Sequence, residues 1–288
     1  MSFEEVIGAM MRLSTAADTL AALGAQLALA EQGGHPDPAI DAALAALTTA
    51  AGIPDVSTLP PPQRALALAV TRMFLAQAAD LAREPERPRG WGMTDPMVLD
   101  GYGRGSTMIP GLLAGAAPEL ADVRSFLDVG TGVGLLAVAA TGVWPEAKVV
   151  GVDVWEPSLE RARANVANAG LADRVTLRHQ DVTTLTDVDA FDAAWIPTFF
   201  FTPEALAETV TAVVRSVRPG GSVVLGRFMA PCDAVAKAAS DLHTIRGGGH
   251  NLTEDDAVAL LKGTGCIGVR ALERRWPMPL EFVLGQKA

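Results

Sequence analysis

Apolar side chains recur at helical spacing through the first 85 residues and never alternate as a strand would. Val6, Met10, Leu13 and Ala17 share one stripe, which Leu20, Leu27 and Leu29 extend. Gly33-Gly34-His35-Pro36 interrupts it, and a second helical run covers Ile40 to Leu47. After Pro60-Pro61-Pro62 a third run sets Leu66, Val70, Phe74 and Ala78 on one face. Stripes of this kind need a partner, either the rest of the chain or a second subunit. Glu84-Pro85-Glu86-Arg87-Pro88-Arg89-Gly90 suits neither helix nor strand and reads as a linker. The expected division is an all-helical lid or dimerisation domain at residues 1–92 and a second domain at 93–288.

From about residue 93 the pattern changes. Short apolar runs at Phe126 to Val129, Val149 to Val152, Val175 to Leu177, Ala193 to Ile196 and Val223 to Leu225 alternate with helical stretches. That alternation predicts a doubly wound α/β domain, a parallel sheet with helices on both faces. Residues 266–274 and 279–286 break it, reading as two strands joined near Trp276-Pro277 that pair antiparallel.

Composition narrows the function. The chain has 288 residues, 49% of them hydrophobic, and a net charge of −10. No cluster of Lys and Arg is dense enough to neutralise a run of phosphates, which argues against a nucleic-acid partner. Cys232 and Cys266 lie far apart without metal-ligand spacing, so neither a disulfide framework nor a metal is expected. The acidic start is unlike a secretory signal, and no stretch of about 18 uninterrupted apolar residues predicts a membrane span. The expectation is a cytoplasmic protein without membrane partners.

Candidate chemistry concentrates where strands end. Phe126-Leu127-Asp128-Val129-Gly130-Thr131-Gly132-Val133-Gly134 runs from an apolar strand through three alternate glycines into a helix beginning at Leu135. Glycine permits a sharp turn and close approach of backbone to ligand, and the helix start offers oriented N–H groups. The spacing departs from G-x-G-x-x-G, and Asp128 at the strand tip repels a pyrophosphate but welcomes a cationic ligand. The second strand ends at Asp153, about 20 residues beyond, where an acid can accept from both ribose hydroxyls. Pro157 opens the next helix, Leu159, Ala162, Val166 and Ala169 line its inner face, and Gly170 closes it. His179-Gln180-Asp181-Val182 follows the third strand, and Ile196-Pro197-Thr198-Phe199-Phe200-Phe201 ends the fourth.

In this order and spacing the motifs resemble the class I S-adenosylmethionine-dependent methyltransferase family over about residues 95–288. The resemblance implies a seven-stranded Rossmann-like sheet with its last strand inserted antiparallel, and S-adenosylmethionine as cofactor. It implies that Asp128, Gly130, Gly132 and Gly134 hold the methionine moiety, that Asp153 holds the ribose, and that Val154 packs on the adenine with Asp181 and Val182 at its edge. Pro197 and Tyr102 are counted with the cofactor-binding residues. Tyr102 stands in Asp100-Gly101-Tyr102-Gly103-Arg104-Gly105-Ser106, whose glycines read as an ordered closing loop. The helical N-terminal region is similar to that of bacterial enzymes that methylate natural products.

Phe199, Phe200 and Phe201 are candidate walls of an acceptor pocket, although aromatic stripes are more often core. His250, after Gly247-Gly248-Gly249 and before a helix capped by Thr253 and Asp256, is the candidate general base. Asp192 begins its strand and so reads as structural. The expected function is methyl transfer to a small, fairly apolar organic acceptor in secondary metabolism, in a possible homodimer. The alternatives are a nicotinamide-dependent oxidoreductase and a non-catalytic or repurposed S-adenosylmethionine-binding protein.

Overall fold

The structure, a computed structural model, describes residues 2–288. It forms two compact units: the chain up to Pro85 with Asp95–Gly105, and Glu86–Thr94 with Ser106–Ala288. The polypeptide therefore passes between units three times, and a single boundary at 92/93 does not describe it. Of the expected linker, residues from Glu86 onward belong, with the segment to Thr94, to the second unit, and the residues after it return to the first.

The first unit is helical. α1 (Phe3–Gln32) begins with a capping box, the Glu5 N–H donating to Ser2 Oγ and the Ser2 N–H to the Glu5 carboxylate, and ends at Gly33 with φ of 65°. α2 (Pro38–Ala50) is capped by Asp37. α3 (Pro61–Arg83) carries two prolines in its first turn, where no backbone N–H is required. α1 packs on α3 through Ala22, Gly24 and Leu27, and a Cβ on Gly24 would stand only 3.2 Å from Thr71. The buried stripe of α3 is Leu68, Thr71, Met73 and Gln77, not the expected Leu66, Val70, Phe74 and Ala78. The alanine- and leucine-rich run from Ala65 to Leu75 offers two nearly equivalent apolar faces, so periodicity alone chose the wrong one. By length and composition alone α1 and α3 are apolar enough to cross a membrane, although neither holds about 18 uninterrupted apolar residues.

α4 (Pro96–Ser106) corrects the expected closing loop around Tyr102: it is a helix despite three glycines. A Cβ on Gly101 would lie 2.4 Å from Met73 Cβ, so this glycine serves close helix packing on α3. Tyr102 accepts a 2.9 Å hydrogen bond from the Gln77 side-chain amide.

The second unit holds a seven-stranded sheet: β1 (Ser125–Val129), β2 (Lys148–Asp153), β3 (Val175–His179), β4 (Phe191–Pro197), β5 (Val217–Phe228), β6 (Cys266–Ala271) and β7 (Leu280–Lys287). Their order is β3-β2-β1-β4-β5-β7-β6; the first five are parallel and β7 runs antiparallel to both neighbours. Around it lie α5 (Ile109–Ala116), α6 (Leu135–Val143), α7 (Glu156–Asn168), α8 (Pro203–Ser216), α9 (Ala234–Arg246) and α10 (Glu254–Gly263). Alternate strand residues feed two cores. Phe126, Trp195, Val224 and Phe282 join α5 and α6, while Leu127, Ile196, Leu225 and Val283 join α8 and α10.

Several local differences have physical reasons. β5 starts at Val217 and runs through Pro219-Gly220-Gly221, with a register shift against β4. Trp276 is not on a surface turn; its ring stacks on Phe282 at 4.8 Å and its indole N–H donates to Leu280 O. Ala169 lies beyond the end of α7 and is exposed rather than inward. Asp192 is structural as expected: its carboxylate accepts from the N–H groups of Arg124 and Ser125 and pairs with Arg218, closing the amino edge of the sheet.

Trp195 lies flat across Gly226 of β5, where a Cβ would come within 1.9 Å of the indole. Gly226→Ala should therefore destabilise the protein by about 3 kcal/mol in urea titration. A second substitution, Trp195→Leu, should recover part of that loss, giving a double variant less damaged than the summed singles.

Candidate active site

The sheet order places β1 between β2 and β4, so the loops leaving these strands meet at one carboxyl edge. The loop after β1 turns through Gly130, Gly132 and Gly134, with φ of 65°, 55° and 75°. These left-handed values cost other residues roughly 1–2 kcal/mol each. At Gly134 a Cβ would also stand 3.0 Å from Ala162 of α7. Thr131 folds back over β2, where only Gly151 leaves room: a Cβ there would be 2.6 Å from Thr131 Oγ1.

That hydroxyl donates to Asp128 Oδ2 at 2.7 Å. Asp128 is fully enclosed, and among the described residues no cationic side chain pairs with it. Burial is the main reason its carboxyl is pushed up to about 7; the Thr131 hydroxyl opposes this and the neighbouring Asp153 adds to it. An uncompensated acid at the floor of a glycine loop is a receptor for positive charge.

Asp153 ends β2. Its Oδ2 accepts from the Gly132 N–H at 2.8 Å and its Oδ1 from the Trp155 N–H at 2.8 Å. Burial raises its pKa, while the Trp155, Gly132 and Val154 N–H groups work against the rise. The carboxylate thus joins the loop after β1 to the segment after β2. Beside it Val154 is exposed, an apolar surface of 60% relative exposure at a strand end. The Val154 carbonyl meets His179 Nε2 at 3.0 Å.

Asp181 caps a short 3-10 turn by accepting from the N–H and hydroxyl of Thr183, and Val182 is buried beneath it. Pro197 ends β4 beside the glycine loop; a Cβ on Gly130 would be 3.5 Å from its Cγ. Asp128, Gly130, Gly132, Gly134, Asp153, Val154 and Pro197 are thereby brought together. Tyr102 belongs to the helical unit.

The three phenylalanines after β4 do not form one wall. Phe199 is buried and stacks on Phe228 at 4.1 Å, and Phe200 packs against the same core. Phe201 packs into the core on the opposite face of the sheet. The chain leaves β4 at Pro197 and turns through a short 3-10 segment, Thr198–Phe200, which sets Phe199 and Phe200 on one core before Phe201 reaches the other. Sequence reasoning missed Trp91, whose ring meets Phe200 edge-on at 4.9 Å; a tryptophan directly after the expected linker was the available signal.

His250 lies on the loop between α9 and α10. Gly249 brings this loop against the β4 turn so closely that a Cβ would be 2.0 Å from Phe199 O. His250 Nδ1 is 2.8 Å from Phe201 O. A carbonyl can only accept, so Nδ1 is the donor here, and in the neutral tautomer this selects, Nε2 is the proton acceptor. Among the described residues no group of His, Cys, Asp and Glu is arranged to hold a metal ion.

Comparison with known proteins bears on the fold. Residues 126–221 match the family model described as a methyltransferase domain. The tRNA1(Val) (adenine(37)-N6)-methyltransferase of Vibrio parahaemolyticus is 31% identical over 106 residues, covering 36% of this chain and 44% of that protein. The match thus spans less than half of that relative. An O-methyltransferase family protein from Burkholderia thailandensis superposes with a TM-score of 0.70 over 100% of this chain and 98% of its own, at 14% identity. The mitomycin 7-O-methyltransferase MmcR does so with a TM-score of 0.66 over 99% and 98%, at 19% identity. The fold is the Rossmann-like methyltransferase fold with an N-terminal helical region.

Between pH 4 and 7 the folded state holds a proton on Asp128 that the unfolded chain has released. Stability therefore falls as pH rises through this window, by on the order of 4 kcal/mol at most. Asp128→Asn removes that slope: relative to the parent it should gain thermal stability at pH 8, with the gain fading toward pH 4. Paired melting curves across pH check this.

Proposed function

We propose that this chain is an S-adenosylmethionine-dependent methyltransferase acting on a small, fairly apolar organic acceptor in secondary metabolism. The observation that carries the reading is the Asp153 carboxylate set against the Gly132 N–H above the enclosed, unpaired Asp128. The residues present fit the cofactor. Three left-handed glycines leave alternate positions of the loop without a Cβ, Asp128 suits a cationic amino-acid end, Asp153 suits vicinal hydroxyls, and exposed Val154 offers an apolar face for a purine. The methyltransferase family match over residues 126–221 and the full-length likeness to MmcR support it.

When bound, the cofactor supplies an electrophilic methyl group on a sulfonium whose departure leaves a neutral thioether. The chain's task is then alignment and exclusion of water. Holding nucleophile and methyl carbon in line at roughly 3 Å approach is worth about 7–11 kcal/mol. Asp128 would hold the amino-acid end of the cofactor and Asp153 its ribose, and enclosure would strengthen every charge contact around them. His250 Nε2, freed as an acceptor by the Nδ1–H donated to Phe201 O, takes the proton of an acidic acceptor group. The net charge of −10 disfavours a nucleic-acid acceptor of the kind named for the Vibrio relative.

We assign the free stripe on α1 to a second copy of the chain. Phe3, Val6, Met10 and Leu13 recur at helical spacing on the exposed first half of this helix. An apolar face of this kind on a soluble enzyme marks a subunit contact.

Titration calorimetry with S-adenosylhomocysteine tests the cofactor assignment. Micromolar binding is expected, with no heat from NADH at the same concentration; the reverse result abandons it. Asp153→Ala should weaken that binding at least 10-fold, since hydrogen bonds to charged groups contribute about 1.5–3 kcal/mol. With a labelled methyl donor and a panel of phenols and hydroxylated heterocycles, His250→Gln should lower kcat about 100-fold at unchanged S-adenosylhomocysteine affinity. Light scattering should find a dimer that Met10→Glu with Leu13→Glu converts to monomer.

A further inference from the structure

Glu86–Thr94 carries prolines and charges, yet it is packed on the sheet unit at several points. The Gly90 N–H donates to Arg246 O at the end of α9. Gly248, next along that chain, comes so near that a Cβ on it would stand 2.9 Å from Gly90 Cα. Trp91 meets Phe200 in the turn after β4. Met93 O accepts a 2.9 Å hydrogen bond from the indole N–H of Trp155, two residues past the end of β2. Arg87 reaches back to Met93 Sδ at 3.7 Å, which holds the segment to its own course.

The placement of these contacts matters. Gly90 touches the loop after α9, whose Gly249 itself packs on Phe199 O, and Trp91 meets Phe200, so both anchor at the turn after β4. Met93 is held by the segment after β2. Across the sheet β1 lies between β4 and β2. The two anchors therefore flank β1, whose carboxyl end bears the Gly130–Gly134 loop. Two strand intervals measure roughly 10 Å. Two extended residues reach about 7 Å, and the Trp155 side chain bridges the remainder.

We propose that Gly90–Met93 is a bar lying across the carboxyl end of β1, over the cofactor crevice, and that Trp155 is the positioning residue that latches it. This rests on the cofactor assignment above. Trp155 is suited to the part because its own N–H is tied to Asp153 Oδ1, so the latch and the ribose carboxylate share one short segment. The bar's far end is fixed by backbone groups and glycine contacts, and the near end is tied to the β2 side by the Trp155 indole. Ligand entry and exit then require the Trp155–Met93 hydrogen bond to break, and the bar to swing about Gly90, whose φ of 139° is open to glycine.

Hydrogen exchange and ligand kinetics on the full chain test this. Without ligand, Trp155→Phe, which keeps a ring and loses the donor, should speed amide exchange across residues 86–94 about 5-fold or more, with exchange in the sheet unchanged. S-adenosylhomocysteine should slow exchange of the same segment in the parent protein. Trp155→Phe and Trp91→Ala, altering opposite ends of the bar, should each raise the S-adenosylhomocysteine dissociation rate 5-fold or more while association changes less than 3-fold. A purely structural role would instead lower the melting temperature and leave the rates in proportion. Unchanged segment exchange in Trp155→Phe, or bound ligand that leaves residues 86–94 exchanging as before, overturns the proposal. Absence of binding to every form overturns the cofactor assignment, and the ligand-free comparison still decides whether Trp155 holds the bar.

Discussion

The hydrogen bond from the Gly132 N–H to Asp153 is the contact on which the site depends. It joins two adjacent parallel strands just past their carboxyl ends, where the sheet's own hydrogen bonding has stopped. A loop with three left-handed residues is conformationally costly and needs an external restraint to adopt one shape. Asp153 supplies it, and the register that pairs Asp128 with Gly151 supplies the space for Thr131. The same carboxylate anchors Trp155, so the crevice, its floor and the segment beside it are set by one residue at the end of β2.

Electrostatics gives the site its preference. Two carboxyl groups converge with backbone N–H groups, and among the described residues no basic side chain neutralises the deeper one. In an enclosed region this is unfavourable, and burial raises the Asp128 pKa. An anionic pyrophosphate would deepen the difficulty and a cation would relieve it. That contrast, more than the glycines, separates this loop from those that cradle phosphates.

Much of this was legible in the sequence because each signal was local. A strand running into alternate glycines, an acid one strand later, and a Thr253–Asp256 cap before α10 all act within a few residues. What failed depended on packing between distant segments. The glycines of α4 read as a loop because their role, close approach to Met73 on α3, is invisible until the helices are side by side. Phe199, Phe200 and Phe201 read as one wall because composition does not say which way a side chain points. Residues 84–90 read as a linker because prolines and charges describe what a segment lacks, whereas its binding to the sheet unit is made by backbone groups and by Trp155, 62 positions away.

The threefold passage of the polypeptide between its units has a bearing on how such a chain can be altered. Cutting after Pro85 would leave Asp95–Gly105 attached to the wrong piece, and cutting after Gly105 would strip the sheet unit of Glu86–Thr94. No single cut separates the two units from one another. Exchange of the helical unit with a homologue's, whether by recombination or in the laboratory, has to graft two separated stretches at once. The helical region is thus interlaced with the catalytic framework as a covalent property of the chain, and specificity carried by one is inherited together with the other.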